Sequence, residues 1–176
     1  MFHIRFKTGT KDLSALDIHP GEQLRVEDLD DELCRGTFTN EEIILSFNQA
    51  EFTLYYKTED KVTGIACITK YGNMWEITHI CVSAQAKGLG SRIITKLKEI
   101  AGTYPPPLTL YGLGLYPASE QLYLRNGFVD NRFEIGKTRK RKGKRKTKTN
   151  QVRKFYFVVS NVKSRNLKTK HKKRKE

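Results

Sequence analysis

Residues 51 to 82 hold three consecutive runs, "EFTLYYKT" (51–58), "KVTGIACITKY" (61–71) and "MWEITHICV" (74–82), dominated by β-branched and aromatic residues. The connections "EDK" and "YGN" are too short for a crossover helix, so the runs must fold back on one another as an antiparallel meander. That order argues against a fold that opens with a parallel βαβ unit. Directly after the third run, at "SAQAKGLGSRI" (83–93), the pattern changes from period two to helical spacing. Leu89, Ile93, Leu97 and Ile100, with Ile94 and Ala101 beside them, fall on one side of a helix from about Gly88 to Thr103.

The flanking segments supply the remaining elements. "FHIRFK" alternates as a first strand, and the Gly/Pro/Asp-rich stretch 16–43 that follows favours helices without fixing their ends. One helix is expected over 41–49, capped by Thr39 or Asn40, with Glu41 and Glu42 beside the positive end of its dipole. After "YPPP" comes a strand, "LTLYGLGL" (108–115). "PASEQLYLRNG" then reads as a short helix, with Pro117 at its start and Gly127 beyond its end. "FVDNRFEIG" and "KFYFVVSNV" are two further strands.

Charge is distributed very unevenly over the 176 residues. Residues 137–154 hold 11 Lys/Arg and no acid, and residues 163–176 hold 8 with a single acid. The whole chain is +14, so what lies outside these two tracts is net acidic by four charges. The sequence therefore describes one mildly acidic domain over 1–162, a basic insertion at 137–154 between its last two strands, and a basic tail, 163–176, expected to be disordered. Both tracts lack interleaved aromatics, which points to salt-sensitive, non-specific nucleic-acid binding or to nuclear or nucleolar import rather than base stacking.

Cys34, Cys67 and Cys81 form neither a C-x-x-C pair nor a disulfide framework, which suggests a reducing, intracellular setting. Cys67 and Cys81 sit in apolar runs and read as packing residues. The four histidines have no cysteine partners at zinc spacing, so no metal is expected. No window approaches the length of a membrane span.

A glycine loop entering a helix offers backbone N–H groups beside the positive end of the helix dipole, an arrangement suited to phosphate. Gly88 and Gly90 allow close approach of a ligand, and Lys87 adds charge. Neither G-x-G-x-x-G nor G-K-[ST] is present.

"QAKGLG" resembles the R/Q-x-x-G-x-G/A loop, and "LYLRNGF" the L-Y-x-x-x-G-F signature, of the GNAT superfamily of acyl-CoA-dependent N-acetyltransferases. The order of elements over roughly residues 1–160 is similar as well. The resemblance implies an α+β fold, with a central, mostly antiparallel twisted sheet of about six to seven strands flanked by about four helices. It implies acetyl-CoA as acyl donor. Gln85, Ala86, Lys87, Gly88, Leu89, Gly90 and Ser91 would surround its phosphates, and main-chain groups of Ile80, Cys81 and Val82 would meet its pantetheine arm. Tyr116 stands near the place of an asparagine that many members carry at this coenzyme contact.

Direct transfer of an acetyl group to an amine needs a proton acceptor, donors for the thioester carbonyl and an acid for the leaving thiolate. Tyr123 matches the family's tyrosine and would be the acid. Glu76, which by alternation shares a strand face with Thr78, Ile80 and Val82, would be the base; His79, on the other parity, is the lesser candidate. The acceptor is an amine, on a protein or a small molecule, and a longer acyl donor remains open. The alternative is a non-catalytic nucleic-acid-binding protein on a GNAT-like scaffold.

Overall fold

The computed structural model describes residues 1–6, 23–105, 107–130 and 153–159. Strands β1 (Phe2–Phe6), β2 (Phe52–Thr58), β3 (Lys61–Tyr71) and β4 (Met74–Val82) form the expected antiparallel meander. Helix α2 (Leu89–Ala101) then crosses over to β5 (Leu108–Gly114), which lies parallel to β4. Beyond it come β7 (Arg153–Val159) and the short β6 (Val129–Asp130), giving a seven-stranded sheet of order β1-β2-β3-β4-β5-β7-β6. The single parallel pair, β4–β5, is the one that needs a crossover helix.

Two helices close on the sheet beside α2. Helix α1 (Asn40–Gln49) starts at a capping box: Thr39 Oγ1 accepts the Glu42 N–H at 3.2 Å, and Glu42 Oε2 accepts the Thr39 N–H at 2.8 Å. Helix α3 (Pro117–Arg125) has its proline in the first turn, and Gly127 follows in the left-handed region at φ 76°, where glycine is free of steric cost. Among the described residues there are thus three α-helices, one fewer than expected. In the described part of the stretch where a fourth was sought, residues 23–38, there is a 3₁₀ turn, Val26–Asp28. This stretch is pinned by isolated bridges from Leu29 to Val62 and from Leu33 to Ser83, which take up backbone groups a helix would have used on itself. The strand expected at 128–136 is described only over β6, and the basic insertion and tail lie almost wholly outside the described residues.

The sheet separates two apolar cores. On one face α2 and α3 bury Ile93, Ile94, Leu97 and Tyr123 against Leu54, Ala66, Ile68, Trp75 and Leu110. On the other, α1 and the 24–34 segment bury Ile43, Phe47, Leu29 and Leu33 against Tyr55, Ile65 and Cys67. Arg5 is drawn into this second layer, where its Nη1 donates to the Phe47 carbonyl at 2.6 Å near the negative end of α1. Close approach matters at Gly64, where a Cβ would meet Leu89 Cδ2 at 2.6 Å. A side chain there would push α2 off β3.

One expectation is overturned in the second layer. Cys34 and Cys81 are joined by a disulfide, with their Cα atoms 5.1 Å apart. They are 47 residues apart in the chain, so no spacing motif betrays them. The Leu33–Ser83 bridge is what sets them side by side. Cys67 keeps a free thiol and is fully buried, as its apolar run suggested.

The inward face of α2 sets a testable asymmetry. Ile93→Ala, at a position with no exposed surface, should destabilise the chain by about 2–5 kcal/mol. Thr95→Ala on the exposed side should stay within about 0.5 kcal/mol. Equal effects in urea unfolding would contradict the helix orientation.

Candidate active site

The site begins with one extra residue in β4. Cys67 pairs with His79, but the next residue of β3, Ile68, pairs with Ile77. Thr78 is the bulged residue, and its Oγ1 donates to the Cys67 carbonyl at 3.0 Å. Alternation therefore breaks at this point. Trp75 and Ile77 before the bulge, and Ile80 and Val82 after it, all pack on the α2 side, whereas Cys81 belongs to the α1 side. Glu76 consequently shares its face with His79 and Cys81. This corrects the expectation that Glu76 lies with Ile80 and Val82: counting by twos fails across a bulge.

Just past this point β4 and β5 part. Their pairing runs from Met74–Thr109 to Ile77–Gly112 and, among the described residues, goes no further. A cleft of about 450 Å³ opens where they diverge, with Ile80 and Val82 on one wall and Leu113, Leu115 and Tyr116 on the other. Tyr123 lies at the apex. Its ring stacks on Phe155 with centroids 5.6 Å apart, and it crosses so close over Gly112 that a Cβ there would fall 2.3 Å from its hydroxyl oxygen. Burial, then the charge of Glu76, pushes this phenol well above the ordinary tyrosine range. It remains a proton donor at any physiological pH.

At the mouth of the same cleft lie Gly88, Gly90 and Ser91. Gly88 precedes α2 at φ 77°, a conformation that favours glycine, and the space beside its Cα is open. The first-turn amides that follow have no intrahelical acceptors. The two sequence signatures meet here physically: Asn126 Nδ2 donates to Ser91 Oγ at 3.1 Å, and Leu122 packs within 3.3 Å of where a Gly90 Cβ would stand. Tyr116, half-exposed, precedes the first residue of α3, where its backbone N–H donates to Ser119 Oγ at 3.2 Å.

The opposite end of the cleft is bounded by Thr37, Phe38 and His79. The His79 ring meets Phe38 edge-on at 4.6 Å, and its Nε2 lies 3.4 Å from Ser46 Oγ. Nδ1 is buried without a hydrogen-bond partner among the described residues. Burial lowers the imidazole pKa, with the charge of Glu42 opposing, so the ring is neutral at physiological pH. Glu76 accepts a 2.7 Å hydrogen bond from the Tyr111 hydroxyl through Oε2. That bond, after burial, holds the Tyr111 phenol far above its usual range as well.

No family model matches the sequence, and no curated protein matches it. Solved structures do. Tetrahymena GCN5 superposes with a TM-score of 0.57 at 17% identity, over 92% of this chain and 97% of its own. The Escherichia coli ribosomal-protein-S18-alanine N-acetyltransferase gives 0.53 at 16%, over 95% and 99%. A GNAT-family protein from Desulfovibrio desulfuricans gives 0.52 at 16%, over 72% and 86%. The fold is that of the GNAT superfamily.

Within this GNAT fold, Ile80, Val82, Gly88, Gly90, Ser91, Tyr116 and Tyr123 line one cleft. Gln85 and Lys87 are exposed on the loop, Ala86 is half-buried against the core, and Leu89 points inward as a core residue. The Cys81 side chain is turned away from the cleft into its disulfide. Glu76 stands behind the apex, near enough to act on Tyr123 electrostatically, but does not line the cleft. Phe38, Leu113 and Tyr111 were not singled out from the sequence. The pairing of Tyr111 with Glu76 was hidden because it depends on the β4–β5 register, which no local pattern encodes.

The two raised phenols give a pH signature. A group whose folded pKa lies above its unfolded value contributes stability that is present below the unfolded value and lost as pH rises through it. Stability should therefore fall above about pH 10, the unperturbed tyrosine value. Absorbance titration should find a late-ionising set of tyrosines that loses one member in Tyr111→Phe and one in Tyr123→Phe. A late set unchanged in either variant would refute the assignment.

Proposed function

We propose that this chain is an acyl-CoA-dependent N-acetyltransferase that moves an acetyl group from acetyl-CoA directly to an amine. The observation that carries the reading is the single cleft with a glycine-entered helix start at its mouth and a buried phenol at its apex. The residues fit the donor. The open space at Gly88 admits a phosphate that a side chain would obstruct, the first-turn amides and dipole of α2 favour its charge, and Arg125 adds a cation to the lining. Past Ile77 the β5 side of β4 is free for main-chain hydrogen bonds from Ile80 to Val82 with the pantetheine arm.

In this reading the amine enters between Phe38 and His79. It loses a proton through water to Glu76, which stands behind the apex with its carboxylate held by Tyr111. Its lone pair attacks the thioester carbonyl carbon, the C–S bond breaks as the nitrogen releases its second proton to water and the amide forms, and the departing thiolate takes the Tyr123 phenolic proton. The phenol is then reprotonated from solvent.

The basic tracts belong to the same proposal as polyanion-binding arms, or as signals for nuclear delivery of an intracellular protein. The insertion is tethered near the site. Arg153, the first residue of β7, pairs with Gly114 and bonds Glu120 on α3 at 2.6 Å. Arg153, near the end of the insertion, thus joins the sheet beside the cleft wall, while Val159, at the other end of β7, pairs with Leu108.

Calorimetry with acetyl-CoA, in salt high enough to screen the tracts, tests the donor assignment. Saturable one-to-one binding is expected, weakened about tenfold or more by Gly88→Asp. Tyr123→Phe should keep the affinity and lose about 10²–10⁴-fold in turnover. No coenzyme binding by the unaltered chain would overturn the enzyme reading, and a scaffold that binds nucleic acid would take its place.

A further inference from the structure

Behind the β4 wall of the cleft lies a second cavity of about 240 Å³, and Cys34 and Cys81 both line it. The cysteines are 5% and 7% exposed, and this cavity is a space open to solvent that both of them line. Three residues, Thr37, Ile80 and Val82, line both spaces. The disulfide is thus separated from the cleft by one layer of residues.

The bond also closes a strained turn. Cys34 has φ 57° and Gly36 has φ 75°, two left-handed residues within three positions, and the turn is closed by the Thr37 N–H to the Cys34 carbonyl at 2.8 Å. A left-handed conformation at a residue with a Cβ is unfavourable and persists where the surroundings enforce it. Here the cross-link to β4 does so, and the turn it fixes carries Thr37 and Phe38 into the cleft wall.

We propose that Cys34–Cys81 is a thiol–disulfide exchange site, opened through this cavity by a small cellular thiol, and that its redox state sets the Thr37–Phe38 wall of the cleft. A thiolate attacks one sulfur, forming a mixed disulfide and releasing the other cysteine as thiolate. A second thiol resolves the mixed disulfide, so that two thiols are oxidised to one disulfide while the protein gains two electrons and two protons. Cys67 takes no part: burial pushes its thiol up to about 12, and the described structure shows it fully enclosed. Exchange rests on the cavity alone. Its effect on the acceptor wall rests on the acetyltransferase reading.

The test uses the full chain, equilibrated in native buffer with reduced and oxidised glutathione at a series of ratios, quenched by alkylation and read by intact mass. Two cysteines should label reversibly as the ratio rises, with the third labelling only after denaturation. If Cys34 and Cys81 label only together with Cys67 on unfolding, the exchange site is refuted. Amide hydrogen exchange on the same samples reads the wall. Residues 35–38 should exchange about tenfold faster when reduced, and likewise in Cys34→Ser, while α2 is unchanged; equal rates in both states would refute the clamp. An acetyl-CoA titration of both states separates the two claims, because failure to bind in either state removes the enzyme reading and leaves the labelling result standing.

Discussion

One additional residue in β4 decides what the rest of this fold can do. A regular strand would keep its register with β3 on one side and β5 on the other through its full length, and the sheet would be closed. With Thr78 inserted, β4 turns, its last contact with β5 is Ile77–Gly112, and the two strands separate beyond it. The cost of unpaired strand edges inside a folded domain is a standing demand for hydrogen-bond partners. A ligand lying between the strands can meet that demand, which is why the gap reads as a site and not as a packing defect.

The same inserted residue divides the chemistry between two layers. Because parity flips at Thr78, the apolar residues of β4 remain on the α2 side from Trp75 to Val82, while Glu76, His79 and Cys81 all project toward α1. The α2 and α3 side supplies a glycine-entered helix start and a buried phenol. The α1 side supplies a carboxylate held by Tyr111, a neutral imidazole and a cystine. A reactant entering from each side would meet the other where the sheet is open, at the Tyr123 hydroxyl. Gly112 is indispensable to that meeting point, since any side chain on it would occupy the volume of the phenol.

Much of this was legible in the chain because it is local. The meander follows from connections two residues long between β-rich runs, and β3 and β4 have the bounds that pattern suggests. The capping box of α1 and the glycine entry of α2 are likewise written in adjacent residues. What escaped was non-local. The Tyr111–Glu76 bond requires the parallel register of two strands joined by a helix, and the Cys34–Cys81 bond requires a Leu33–Ser83 bridge that brings together cysteines 47 residues apart. The face of Glu76 was misread for a different reason. Alternation is a running count, and the sequence of Thr78 carries no mark that the count restarts there.

Charge distribution follows the same division between fold and function. The domain outside the two basic tracts is net acidic, so attraction between tract and domain is available at low salt and fades over about a Debye length, roughly 8 Å at physiological ionic strength. Arg153, near the end of the insertion, joins the sheet beside α3, whereas Val159, the last described residue before the tail, stands at the far end of the same strand. Their tethering points therefore differ by the length of β7, seven residues at ~3.4 Å each. Arg153 bonds Glu120, which lies between Ser119 and Gln121 of the cleft lining, so under the proposed reading a polyanion held at this end of the insertion would lie beside the cleft.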